Sequence, residues 1–110
     1  MMSATITVSN DIVEHLNELS LGLGENVDET LRQLLIAEYR RRLARYQLTD
    51  QQLMQKYGMS FTDFEQQQVT KQQNYSWEVE SDAMAWETAV DGIATMKRRL
   101  TDLMPEAKES

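Results

Sequence analysis

Cysteine is absent from the 110 residues, and histidine and proline occur once each. Without thiols there is neither a disulfide framework nor a thiolate metal site, and His15 alone cannot supply a multi-histidine one. Four glycines and one proline are too few to punctuate a many-stranded β fold. Long apolar runs are also missing. The longest is Leu34-Leu35-Ile36-Ala37, far short of a membrane span, and no Lys or Arg precedes Arg32, which does not suit a secretory leader. What is present is a hydrophobic content of 41%, well above that of a disordered chain. The expectation is a mostly α-helical cytoplasmic protein, one modest domain with an appendage, that makes no contact with membranes.

Charge is unevenly distributed. Of the 18 acids and 11 Lys+Arg that give a net −7, residues 1–31 hold six acids and no Lys or Arg. Residues 32–48 hold five Arg and one Glu, and residues 49–83 hold six acids and two Lys. A single basic block, Arg40-Arg41-Arg42 with Arg45, lies between acidic flanks; its simplest reading is a solvated helix end that complements the C-terminal dipole.

Ala4-Thr5-Ile6-Thr7-Val8-Ser9 alternates apolar and polar residues and is rich in β-branched side chains, which predicts a short strand with Ala4, Ile6 and Val8 on one face. Ser9, Asn10 and Asp11 offer oxygens to cap a helix that carries Ile12, Val13, Leu16 and Leu19 until Gly22 and Gly24 stop it. Asn26 and Glu29 read as a capping box for a second helix with Leu31, Leu34, Leu35, Tyr39 and Leu43 on its apolar stripe. One strand and two helices make a thin core, so the natural solution is a homodimer in which two strands pair and four helices close over them.

These residues, namely Ile6-Thr7-Val8-Ser9, Leu16 with Leu19, Gly24 with Asn26, and Glu29-Thr30-Leu31 with Leu34-Leu35, resemble the ribbon-helix-helix superfamily over about residues 3–45. The resemblance implies a dimer core of Ile6, Val8, Leu16, Leu19, Leu31, Leu34 and Leu35. It implies base contacts in operator DNA from Thr5, Thr7 and Ser9, and a phosphate anchor at Asn26, Val27 and Asp28, where the second helix begins. The chain departs from the pattern in offering only Thr and Ser on the outer face of the ribbon, and in placing Asp28 and Glu29 beside the anchor.

Beyond residue 46, Thr49 with Gln52 forms another capping box, flanked by Leu48 and Leu53, and predicts a new helix from about Asp50 to Gly58. Ser60 caps the next, with Met59 facing Phe64. Gln66 to Asn74 is polar and reads as a fraying helix end or linker. Tyr75-Ser76-Trp77-Glu78-Val79-Glu80 alternates and fits an extended segment, with the start of the last helix as the competing reading. Ser81 and Asp82 can cap a helix whose stripe comprises Ala83, Trp86, Val90, Ile93, Met96, Leu100 and Leu103, with Gly92 a weak point within it. That stripe can fold back on Tyr39, Leu43, Tyr46, Leu53 and Tyr57, or lie in a groove of another protein.

The organisation expected is therefore a ribbon-helix-helix dimerisation and DNA-binding domain at 1–46, short helices and a polar linker at 47–74, and an amphipathic partner-binding or self-association helix at 75–110. An N-terminal segment of this kind with an acidic amphipathic tail resembles the antitoxins of prokaryotic toxin–antitoxin operons. That resemblance implies repression of the operon by the N-terminal dimer and neutralisation of a toxin, often a basic RNase, by the tail. Partner contacts are expected from Trp77, Val79, Trp86, Val90, Ile93 and Leu100, beside acids that suit a basic surface. The alternative is a helical homo-oligomeric structural or adaptor protein that never meets DNA. Catalysis is not expected: there is no Walker loop, dinucleotide-binding glycine pattern or nucleophile elbow, and Glu78, Glu80 and Asp82 supply too few convergent oxygens for a metal. No cofactor is expected.

Overall fold

The computed structural model describes residues 3–23 and 26–104. Five helices follow one another: α1 (Asn10–Leu23), α2 (Val27–Tyr57), α3 (Phe61–Gln66), α4 (Val69–Gln72) and α5 (Trp77–Leu103). The chain divides into two compact units, Met1–Ala37 and Glu38–Ser110.

The ribbon-helix-helix expectation is overturned, because no strand occurs among the described residues and the fold is all-helical. Residues 3–9 are irregular and exposed. Alternation of β-branched residues expresses a fit to a pleated, half-buried surface, and a lone segment has no neighbour to complete the backbone ladder. Within the first unit, α1 starts where its caps predict. The Ser9 carbonyl accepts from Val13 N at 3.1 Å, and the Ser9 hydroxyl donates to Asp11 Oδ1 at 2.6 Å. Asn26 Oδ1 then accepts from Glu29 N at 2.8 Å and caps α2.

The helix expected to begin near Asp50 does not exist as a separate element. From Val27 to Tyr57 the sequence has no glycine or proline to break α2. The Thr49 hydroxyl donates back to the Arg45 carbonyl at 3.3 Å, a within-helix bond, where a cap would have faced forward. The real stop is Gly58. At φ +66° it occupies the left-handed position that closes a helix, with its N–H on the Met54 carbonyl at 2.8 Å. Ser60 caps α3 as its spacing predicts, accepting from Asp63 N at 3.2 Å. Of the two readings of residues 75–80, the helical one holds: Ser76 caps α5, its Oγ accepting from Val79 N at 3.3 Å. The cap lies five residues earlier than Ser81.

In the second unit, residues 38–57 of α2 and α5 form an antiparallel hairpin. Moving away from the Gly58 turn, Lys56 meets Glu78 and Asp82, Asp50 meets Trp86, Tyr46 meets Gly92, and Tyr39 meets Arg99. Of the two ways to cover the α5 stripe, the chain takes the fold-back. Helices α3 and α4 close one side of the hairpin around a core of Leu53, Phe64, Val69, Val79 and Trp86. Trp86 is fully buried, with the rings of Phe64, Phe61 and Tyr57 at 5.0, 5.4 and 5.8 Å. Burying an indole of this size contributes roughly 4–6 kcal/mol before conformational entropy is subtracted.

Candidate functional site

A groove of about 520 Å³ opens between α3–α4 and α5. Phe61, Phe64, Val69 and Ala83 form its floor, and Tyr75, Met84, Glu65, Glu87 and Lys71 belong to its walls. Its lip is exposed and apolar: Met84 is 68% and Tyr75 58% accessible, and Trp77, two turns before Met84 on the same stripe of α5, is 81% accessible. Tyr75 and Met84 line the groove, and Trp77 stands on the face of α5 that carries Met84, so three large apolar side chains are open in this unit.

The backbone at the lip is constrained. Asn74 and Tyr75 both lie in the left-handed region, at φ 55° and 54°, and Gln68 at the far end of α4 is at φ 52°. A bulky residue such as Tyr75 in this conformation costs on the order of 1–3 kcal/mol and persists only where its surroundings fix it. Here its N–H donates to the Thr70 carbonyl at 2.9 Å, and the Asn74 N–H to the Lys71 carbonyl at 3.1 Å. The strained pair turns the chain from α4 into α5 and sets Tyr75 at the groove.

A polar cluster fastens α2 to α5. Lys56 Nζ donates to Glu78 Oε1 and to Asp82 Oδ2, each at 2.6 Å, and the Tyr57 hydroxyl donates to Asp82 Oδ2 at 2.6 Å. Burial alone would raise the Asp82 carboxyl, but the Lys56 ammonium and the Tyr57 hydroxyl outweigh it and hold it below its ordinary value. Burial first, and the bond to Asp82 second, push the Tyr57 hydroxyl up to about 12. Glu78 and Asp82 are thus spent on an ammonium, and among the described residues no group of acids or His15 converges as a metal site.

The residues expected to touch a partner separate into two kinds. Trp77 is exposed, two turns before the groove residue Met84 on α5. Val79, Trp86 and Leu100 are buried, Val90 packs against the core, and Ile93 is half-buried. Sequence reasoning missed the groove itself. Met84 and Tyr75 fall off the main stripe of α5, and only the seven-residue interval from Trp77 to Met84 signals a second, outward face.

In the first unit the expected dimer-core residues lie open. Ile6 is 74% accessible; Val8, Leu19, Leu34 and Leu35 are 40–47%; and Leu16 and Leu31 are half-buried. The most buried groups there include two hydroxyls, Ser20 and Thr30, which share a hydrogen bond of 2.7 Å. With no strand, Thr5, Thr7 and Ser9 have no ribbon face from which to read bases. The expected phosphate anchor lies at the first turn of α2. The Asn26 side chain occupies the Glu29 N–H, Val27 is half-buried, and Asp28 carries its negative charge into the same turn, 3.7 Å from Arg32. Comparison with protein-family models, curated proteins and solved structures returns no match to this chain.

Proposed function

We propose that this chain is an antitoxin-type binding protein of the cytoplasm. It acts without catalysis, covering a basic toxin with the α3–α5 groove and self-associating as a homodimer through its first unit. The observation that carries the reading is the set of open apolar side chains, Tyr75 and Met84 at the groove and Trp77 two turns before Met84 on α5, together with Glu65 and Glu87 of the groove lining, where Lys71 is the lone cation. Apolar anchors provide affinity, and a surrounding field of one sign selects a partner of the other. With the ribbon-helix-helix segment overturned, the class of partner rests on the tail alone, where Tyr57 to Glu65 and Trp86-Glu87 resemble the partner-binding half of small antitoxin-like proteins.

The exposed leucines and valines of the first unit favour a second reading, a homo-oligomeric structural or adaptor protein. Co-purification of the tagged chain with the product of its neighbouring gene separates the two. Capture of a small basic protein, lost with Trp77→Ala/Met84→Ala while helicity and melting temperature stay unchanged, is the expected result. Recovery of the chain with copies of itself alone sinks the antitoxin reading in favour of the oligomer. Trp86→Ala is unsuitable for this test, because it removes the centre of the core.

A further inference from the structure

The antiparallel hairpin of the second unit brings together two basic stretches that lie more than fifty residues apart in sequence. Residues 39–46 of α2 contribute Arg40, Arg41, Arg42 and Arg45, and residues 96–99 of α5 contribute Lys97, Arg98 and Arg99. Neither stretch contains an acid, and together they hold seven of the chain's 11 cationic residues, including six of its seven arginines. All seven side chains are exposed. Charge is therefore uneven along the hairpin: the end near Gly58 carries Glu78, Glu80, Asp82 and Glu87, and the far end carries the six arginines and Lys97 against Glu38 and Asp102.

We infer that this far end is a binding site for the phosphodiester backbone of a nucleic acid. Arg99 lies over the Tyr39 ring at 5.7 Å, which places it beside the basic stretch of α2. Arg41, Arg42 and Arg45, with Tyr46, line a surface hollow of about 280 Å³. Glu38 binds Arg41 and Arg42 from below, with three bonds of 2.7 Å. One carboxylate thus orients two guanidinium groups whose side chains remain 55% and 50% accessible, leaving donors directed outward. Among the described residues no carboxylate pairs with Arg40, Arg45, Lys97, Arg98 or Arg99. The preponderance of arginine selects phosphate, since the planar fork matches two phosphate oxygens at once, whereas Lys offers a point charge. Contacts of arginine forks with phosphate carry no sequence information, so the binding inferred here is independent of sequence. It also stands apart from the toxin-binding reading, because it is tested on the chain alone.

The test titrates a fluorescein-labelled DNA duplex of about 20 base pairs and arbitrary sequence with the full chain, followed by anisotropy. The expected result is micromolar binding at about 50 mM salt that weakens steeply towards about 200 mM. The triple variant Arg45→Gln/Lys97→Gln/Arg98→Gln removes cations that no carboxylate holds, so its circular dichroism stays native. It is expected to bind at least tenfold more weakly, with a salt slope shallower by about one for every phosphate it no longer neutralises. Lys71→Gln, at the acidic end, is the control for a cation outside the site and leaves affinity unchanged. Absence of binding at low salt, or an equal weakening in Lys71→Gln, overturns the inference. A triple variant that keeps its DNA affinity but sediments at a lower mass also overturns it, and assigns the basic end to an acidic stretch of a second copy, such as residues 1–31.

Discussion

Trp86 donates its indole N–H to Asp50 Oδ1 at 2.8 Å and so ties α5 to α2 at the level where the aromatic core is densest. The bond uses the one polar atom of a side chain that is otherwise fully enclosed. Trp86→Phe keeps most of the apolar volume and strands the Asp50 carboxylate without its donor; the expected loss is about 1–3 kcal/mol. Trp86→Ala removes the centre of the cluster as well and is expected to cost about 3–5 kcal/mol. Urea unfolding followed by circular dichroism measures both. Equal stability of the Phe variant and the wild type would show that the Asp50 bond contributes nothing.

Gly92 is required by Tyr46. A Cβ built at position 92 would lie 2.5 Å from two carbons of the Tyr46 ring, closer than a real side-chain carbon tolerates. Gly92→Ala gains in helix propensity but forces the ring aside, and overpacking of this kind costs about 1–3 kcal/mol. The ring is the obstacle, so Tyr46→Ala/Gly92→Ala is expected to fall short of additivity, the alanine methyl costing little once the ring is gone. A double-mutant cycle by chemical denaturation checks this; full additivity would mean that α2 and α5 do not approach at these residues.

The same approach of two helices shows how much of the molecule was legible in its sequence. Tyr39, Tyr46 and Leu53 recur every seven residues, and the stripe of α5 has matching spacing, so a helical hairpin could be read from periodicity alone. Ser9, Asn26 and Ser60 announced three helix starts, because a cap is a local interaction that needs no knowledge of the rest of the chain. Thr49 misled, since a hydroxyl that can cap a helix can equally bond back to its own turn, and only an interruption of the backbone decides between them. Residues 4–9 misled for the opposite reason: a strand is completed by a neighbour, and alternation says nothing about whether one is present. Of the groove, Trp77 was visible as an anchor, but Trp77 and Trp86 look alike in composition and differ only in which side of α5 they occupy. Of the basic end, the block Arg40-Arg41-Arg42 with Arg45 was visible, but its meeting with Lys97, Arg98 and Arg99 was not, because the two halves come together only through the hairpin.

The Lys56–Asp82–Tyr57 cluster predicts how stability changes with pH. The Asp82 carboxyl is held below its ordinary value near 3.8, so its contribution is complete above that value and is lost as pH falls through the lowered one. Tyr57 is shifted the other way, from 10.0 to about 12, so the folded state retains its proton more tightly. Its contribution is complete below pH 10 and disappears as pH rises towards about 12, and the raised Lys56 ammonium acts in the same direction. Glu38, held at about 2 by Arg41 and Arg42, and Asp11, lowered by Ser9, add to the acid limb. Both are exposed, and their share is screened by salt. The expected result is an acid limb that persists in about 0.5 M salt and flattens in Asp82→Asn, measured by thermal melts across pH. An unchanged limb in that variant would remove Asp82 from the account.

The first unit invites the last prediction. Leu34 and Leu35 are 47% and 46% accessible, and Ile12 and Val13 are open on α1, while the Ser20–Thr30 hydroxyl pair is closed off. A unit stabilised within one chain would bury its leucines before its hydroxyls, so this surface is suited to a second copy. Leu34→Asp places a charge where the single chain leaves room for it, and the helicity of the second unit should be unaffected. Between two copies the same charge removes an apolar side chain from each side of the interface, about 3 kcal/mol or more per dimer, or roughly two orders of magnitude in its dissociation constant. Sedimentation equilibrium of wild type and variant reads this directly. A dimer that falls to monomer with its dichroism intact places the interface on α1 and α2; a wild-type chain that is already monomeric at high concentration leaves those leucines without a second copy and removes self-association from the proposed function.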